Sequence, residues 1–372
     1  FQAEDGIRDR SPSRGLGDVY KRQGLGGFGR NHLKAWHQMG MGDYLYLADL
    51  NPTLHAETKN FNFPKERIAT DINDFIDLVD VVDIVTPSHN HFELCEMAIS
   101  KGKDVFVEKP MTMTSDEAIQ LTKILQESGK ILQVGYYYRF HPGATRLRSL
   151  IKNGNLGEIR YLSGNFMGFK RARTDVGVTH TDGIHFIDLF NWLLSSVPDK
   201  IFAITRDHFS RGLEDFSVVM LQSPNGTVAK IESGYIQPGK WRDKVVPDAF
   251  TSKEIFVCGS QATVELDFEI DQMKVHGVHQ EFIDNTWKPI FGDSEVPLNK
   301  TADPVQMISS ELNHFLACVK DRKRTSADSL SSGVVLAKII EAIYASALEG
   351  KTIEMNWTDE EKESLYQTPV TD

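Results

Sequence analysis

Gly24-Leu25-Gly26-Gly27-Phe28-Gly29 constrains this chain more than any other stretch. It is a G-x-G-x-x-G turn running straight into a segment that carries Leu33, Trp36 and Met39 at helical spacing. Glycines there allow a tight turn, close approach of backbone to a pyrophosphate and tight helix packing, while the helix N-terminus offers N–H donors and the positive end of its dipole. Alone such a turn says little, because glycine-rich turns are common. Asp49 supplies the context: it ends the next apolar run, Tyr44–Asp49, at the spacing where a carboxylate accepts hydrogen bonds from ribose hydroxyls. Its competing reading is a turn residue ahead of Asn51-Pro52. A carboxylate there repels a 2′-phosphate, and Leu50 and Asn51 bring no guanidinium, so NAD is expected over NADP.

The rest of the chain reads as two domains, as its 372 residues also suggest. Apolar runs Tyr44–Asp49, Val81–Pro87, Asp104–Pro110 and Ile131–Tyr136 alternate with helical stretches His91–Ser100 and Ser115–Ser128, where Ser115 with Glu117 marks a helix start. This rhythm predicts an α/β domain with a parallel sheet over residues 23–140. After His141-Pro142 come a helix to Lys152, a strand from Ile159 and a helix through His185 to Leu194. Five strands then follow with no helix between them: Ile201–Thr205, Phe216–Leu221, Val228–Glu232, Glu254–Cys258 and Thr263–Asp267. With closing helices near Ile308–Cys318 and Ser329–Leu348, residues 141–355 predict an α+β domain with a largely antiparallel sheet, and 356–372 an acidic tail.

Residues 1–22, FQAEDGIRDRSPSRGLGDVYKR, have neither helical nor strand period and resemble translated sequencing-adapter read-through. They are expected to be a non-native leader outside the fold, a disordered leader being the alternative. Central parallel strands read as nearly continuous Val, Ile and Leu. Asp18–Gln23 does not, so an apolar first strand is expected to have been overwritten.

A net charge of −11 opposes binding to a phosphate backbone, so no nucleic-acid partner is expected. No 18-residue uncharged apolar run occurs, and no membrane partner is expected. Cys95, Cys258 and Cys318 are odd in number and form no C-x-x-C, which fits a reducing compartment and makes the cytoplasm the expected location.

Two further motifs fall at strand C-termini, where open α/β sheets bind ligands: Thr86-Pro87-Ser88-His89-Asn90-His91 and Glu108-Lys109-Pro110. With the glycine loop they resemble the glucose-fructose oxidoreductase, inositol dehydrogenase and rhizopine-catabolism family (Gfo/Idh/MocA), over Gly24 to about Met355. The resemblance implies a Rossmann domain joined to an open-faced sheet domain, NAD(P) between them, and oxidation of a secondary alcohol on a sugar, polyol or sugar nucleotide, a UDP-amino sugar among the candidates. It places Lys109 beside nicotinamide and substrate, and Thr86-Pro87 against the cofactor; His91 and Glu108 join the expected cofactor contacts. An ammonium near a reacting hydroxyl and a cationic ring should have a lowered pKa and relay the alcohol proton. A surface Lys paired with Glu108 is the plainer reading. His89, His91 and Cys95 form no metal set, nor do His276 and His279, and no metal is expected.

In Asp175-Val-Gly-Val-Thr-His-Thr-Asp-Gly-Ile-His185-Phe-Ile-Asp188 the family segment carries an Asp four residues before its substrate His. Here that acid position is Thr181 and the carboxylate stands at Asp182. The expectation is that Asp182 orients His185 as base, Thr181 binds substrate and His180 is a further contact. An interior His185 partnered by Asp188 is the alternative. Arg139 is expected to anchor substrate or to form an interdomain salt bridge. Lys170-Arg171-Ala172-Arg173 and Gly239-Lys240-Trp241-Arg242 suggest phosphate contacts, with Arg173 and Trp241 at the substrate, or solvated loops. A homo-oligomer, dimer or tetramer, is expected. An NAD-dependent glycosidase working by transient oxidation, and a non-catalytic sugar or dinucleotide sensor, remain as other readings of the same resemblance.

Overall fold

The computed structural model describes residues 19–22, 27–51, 61, 63–295 and 302–366, and every count below refers to these. Gly24 and Gly26 of the glycine loop lie outside them.

The first domain is a six-stranded, wholly parallel sheet in the order β3-β2-β1-β4-β5-β6. Its elements are β1 Val19–Arg22, α1 Gly27–Gln38, β2 Leu45–Ala48, β3 Ile68–Ala69, β4 Val81–Ile84, α2 His91–Ser100, β5 Asp104–Glu108, α3 Ser115–Ser128 and β6 Leu132–Gly135. Every residue of β4 and β5 is buried, as strands covered on both faces require. The cap of α3 is Thr114 and not Ser115: its side chain accepts from Glu117 N while Glu117 reaches back to the Thr114 N–H, the three-residue spacing a capping box needs.

β1 occupies the centre of the sheet. Its register places Lys21 between Leu47 and Asp83, and Arg22 between Ala48 and Ile84. The fold therefore begins before the expected boundary at residue 23, with residues that a sheet buried on both faces disfavours. Replacing Phe1–Gln23 by a short start followed by Lys-Ile-Ala-Val-Ile should raise the melting temperature by several degrees, at roughly 2–4 °C per kcal/mol. Equal melting curves for the two chains would contradict this.

The second domain begins with α4 Pro142–Lys152 and β7 Ile159–Phe169, followed by a π turn, Thr179–Gly183, that leads into α5 Ile184–Leu194. Then come β8 Lys200–Arg206, β9 Phe216–Gln222, β10 Val228–Gly234, β11 Trp241–Arg242, β12 Phe250–Gly259, β13 Thr263–Asp267, β14 Gln272–His276, the hairpin β15 His279–Ile283 and β16 Thr286–Ile290, and β17 Ser294–Glu295. The chain closes with α6 Pro304–Asp321, a second π turn Ser329–Val334, α7 Val335–Glu349, β18 Ile353–Glu354 and α8 Asp359–Tyr366. The large sheet runs β17-β14-β13-β12-β7-β10-β9-β8-β18 with β11 beside β12, and only β7 and β10 pair in parallel. One face packs on α5 at close range: a Cβ at Gly164 would meet Phe186 at 2.7 Å. The β15–β16 hairpin was not foreseen, because His279–Ile290 lacks clean alternation.

The expected boundaries need two corrections. α6 and the segment after it return to the first domain: the Phe315 ring lies 5.7 Å from that of Phe106, Tyr136 N donates to Glu311 Oε1 at 2.6 Å, and Val134 N donates to Ala327 O. A parallel sheet needs cover on both faces, and these residues supply part of it. The acidic tail is likewise part of the fold through α8, where Leu365 is fully buried and Glu361 pairs with Lys338. Ser329–Glu349 is apolar and long enough to span a membrane by composition, yet most of it is buried in the protein as a core helix.

Candidate active site

Parallel packing puts the C-termini of β1, β2, β4 and β5 along one edge, and strand order reverses between β1 and β4, where such sheets bind ligands. Asp49 follows β2 there, buried, with Oδ1 accepting from Asn51 N at 2.8 Å. At the end of β4, Thr86 carries a buried Oγ1 with no partner and Pro87 is exposed. α1 starts at Gly27. These residues fit a dinucleotide laid across the switch point. Asp49→Ala should then erode a preference for NAD over NADP, measured by titrating both; an unchanged ratio would contradict the role of Asp49.

Three other expected cofactor contacts serve the protein itself. His91 is buried, with its ring nitrogens 2.7 Å from Pro110 O and 2.9 Å from Thr86 O, so it ties the two ligand-facing loops together. Glu108 uses both carboxylate oxygens, one at 3.1 Å from His32 Nε2 and one accepting from Lys109 N. Phe28 packs on His32 and Tyr137. His32 bridges on to Asp83, which also accepts from Trp36 Nε1, a buried polar network that the isolated motifs gave no sign of.

Lys109 follows β5 directly and reaches across the domain boundary, where its Nζ donates to Thr181 O at 2.6 Å. Burial and then Arg173 lower its pKa to about 8. The π turn brings His180, Thr181 and Asp182 to this point and feeds His185 in behind them. π segments widen a helix by one residue and recur at functional sites. That widening defeats the helical spacing assumed from sequence: Asp182 makes no hydrogen bond to His185 and instead accepts from Lys170 Nζ at 2.6 Å, leaving Oδ2 buried and unpartnered. His185 has no hydrogen bond among the described residues; Nδ1 is buried and unpartnered, and Tyr136, Tyr137, Tyr138 and Phe166 surround the ring. Burial, then the charges of Lys109 and Lys170, hold its pKa well below the ordinary histidine value, so the imidazole is neutral at pH 7.

The expected substrate contacts divide. The Thr181 hydroxyl is bonded to Gly177 O and Tyr235, so the group it turns towards Lys109 is its carbonyl. Arg173 lies close enough to affect Lys109, but Asp175 holds its guanidinium in two hydrogen bonds. Arg139 is only 1% exposed, donates to both oxygens of Asp188, to Ser326 O and to Ser332 Oγ, and so is the interdomain ion pair and not a substrate anchor. Asp188 is thereby the partner of Arg139, not of His185. Trp241 bonds Asp267 on the outer face of the sheet, in a hollow with Ser163, Asn165 and Glu254, whereas Phe166 on the opposite face meets His185. The sheet separates it from Lys109. Lys253 and Tyr235 were not singled out from sequence. Lys253 is buried, paired with Asp243 and Glu269 and 5.1 Å from the Phe166 ring centroid. Strand alternation was the available signal, since it turns position 253 to the helix-covered face.

Residues 23–136 match the model of the oxidoreductase family with an NAD-binding Rossmann fold, and residues 144–265 that of the GFO/IDH/MocA C-terminal domain. The chain belongs to the Gfo/Idh/MocA family. This Gfo/Idh/MocA chain is an NAD-binding oxidoreductase with a Rossmann domain and a mixed, mostly antiparallel sheet domain. It is 23% identical over 360 residues to D-apiose dehydrogenase of Paraburkholderia graminis, covering 93% of this chain and 92% of that one. It is 26% identical over 244 residues to UDP-N-acetylglucosamine 3-dehydrogenase of Acidithiobacillus ferrooxidans, covering 63% and 74%. Its fold is similar to that of levoglucosan dehydrogenase in complex with NADH, with a TM-score of 0.77, 19% identity, and 92% and 100% coverage. An oxidoreductase from Agrobacterium radiobacter in complex with NAD+, L-tartaric acid and magnesium gives 0.73 at 18% identity, covering 90% and 98%.

Proposed function

We propose that this Gfo/Idh/MocA oxidoreductase oxidises a secondary hydroxyl of a free sugar or polyol, with Lys109 as proton acceptor and His185 beside the reacting carbon. The carrying observation is a pair of buried polar atoms without protein partners, Asp182 Oδ2 and His185 Nδ1, on residues electrostatically coupled to Lys109. Buried polar atoms are nearly always hydrogen-bonded. A polyhydroxylated ligand, with an O–H to donate and a lone pair to accept at every carbon, satisfies such a set where an apolar one does not. Bound NAD+ supplies the hydride acceptor. Lys109, as a neutral amine, takes the hydroxyl proton; the Thr181 carbonyl and the end of β5 fix its direction. Lys170, neutralised by Asp182 and lying over Phe166 and Tyr235, walls the site.

The relatives that oxidise D-apiose, inositol or a UDP-amino sugar support carbohydrate in general. A free sugar is favoured over a sugar nucleotide because the basic cluster is not assembled: Arg173 is paired with Asp175, and Arg242 lies with exposed Trp241 on β11. A screen of free sugars, polyols and UDP-sugars tests this by NADH accumulation. Turnover of UDP-sugars alone would overturn the free-sugar reading, and aglycone release without net NADH would indicate the glycosidase cycle.

A further inference from the structure

His180 sits one residue before the carbonyl that receives Lys109 Nζ, and its Nδ1 lies 2.9 Å from the Tyr344 hydroxyl. Tyr344 in turn donates to Glu214 Oε1 at 2.8 Å. A phenol carries one proton. With that proton given to the carboxylate, the Tyr344 oxygen accepts, so His180 must carry its hydrogen on Nδ1 and keep a lone pair on Nε2. Nε2 has no hydrogen bond among the described residues. On one side His180 lines a narrow gap with Pro110, Met111, Tyr136 and Ile184, and the charge of Lys109, the residue before Pro110, acts on its ring. On the other it borders a cleft of about 560 Å³ lined by Tyr344, Glu214, Asp175 and Asp207. The three side chains thus cross the wall between the Lys109 side and an open cleft. Glu214 is built into place: Thr179 N donates to its Oε1, and a Cβ at Gly177 would fall 1.8 Å from its Oε2.

We propose that His180, Tyr344 and Glu214 form a proton exit wire from Lys109 to this cleft. The inference rests on the reading of the site as an alcohol dehydrogenase, whose turnover leaves one proton to discharge for each hydride transferred. That proton passes from the Lys109 ammonium to His180 Nε2 as Nδ1–H passes to the Tyr344 oxygen and the Tyr344 O–H to Glu214 Oε1. Glu214 then releases it to water in the cleft, and a flip of the His180 ring with rotation of the Tyr344 hydroxyl restores the starting hydrogen bonds with no proton carried back. Burial keeps the His180 pKa near 4, so the ring conducts a proton without storing it. The charges of Lys109 and Arg173 push in the same direction, and Glu214 opposes them.

The three residues are positioning residues for Lys109, and the test separates conduction from packing. With a sugar that the wild-type enzyme oxidises, Tyr344→Phe and Glu214→Gln should each lower kcat by about tenfold or more, the low end of acid–base effects. NAD affinity should hold, and added imidazole buffer should restore the rate of Tyr344→Phe in proportion to its concentration. A kcat within twofold of wild type in both variants, or a loss that imidazole does not restore, overturns the wire. If the wild-type enzyme oxidises no sugar, the functional reading fails, and the wire is judged without substrate: nitrogen NMR should show His180 protonated on Nδ1, and protonation on Nε2 overturns it.

Discussion

Lys109→Ala should lower kcat by about 100-fold or more, the usual worth of a positioned acid–base group, with NAD affinity within a few-fold of wild type. The pH profile carries the sign. Burial lowers the Lys109 pKa to about 8, and only its neutral form accepts a proton. Sugar oxidation should therefore rise with pH, reach half its plateau near 8 and lose that limb in Lys109→Ala. His185 is held neutral well below pH 6.5 and adds no second limb between pH 7 and 9 in this account. His185→Ala should also cost about 100-fold in kcat while leaving the limb near 8 in place. Stopped or steady-state NADH formation across pH checks both; a flat wild-type profile would remove Lys109 as proton acceptor.

Arg139→Met should destabilise the protein by about 3–5 kcal/mol, because it leaves the Asp188 carboxylate buried without its partner. At roughly 2–4 °C per kcal/mol the melting temperature should fall by about 10 °C. In the folded fraction KM for sugar should stay within a few-fold of wild type. A large rise in KM with an unchanged melting temperature would return Arg139 to the substrate, the role its sequence position first suggested. Burial alone separates the two readings: the guanidinium has both oxygens of Asp188, a carbonyl and a hydroxyl, and no free face.

The parallel sheet was legible because β4 and β5 are short, mostly apolar runs leading into Thr86-Pro87 and Glu108-Lys109-Pro110, and the position just past a strand end is what singles out Lys109. The antiparallel strands were legible from alternation. What failed was local geometry. The segment around His185 was read on α-helical spacing, and the π turn at Thr179–Gly183 moved Asp182 to Lys170 and put His180 on Tyr344. No composition signal marks that extra residue in the turn. Trp241 failed for a different reason: a two-residue strand sets its face by pairing with Phe250 and Thr251 of β12, a pairing that two residues are too few to signal by alternation. The contribution of α6 to the first domain was hidden in the same way, since nothing in Ile308–Cys318 says which sheet it covers.

Direct hydride transfer from a sugar carbon at the Lys109 site can be followed with deuterium. A sugar found active in the screen is deuterated at the oxidised carbon and turned over with NAD+, and the reduced cofactor is weighed by mass spectrometry. Each NADH formed should carry one deuterium, and the rate should be slower than with the protiated sugar. NADH without deuterium, or deuterium released into water, would contradict direct transfer.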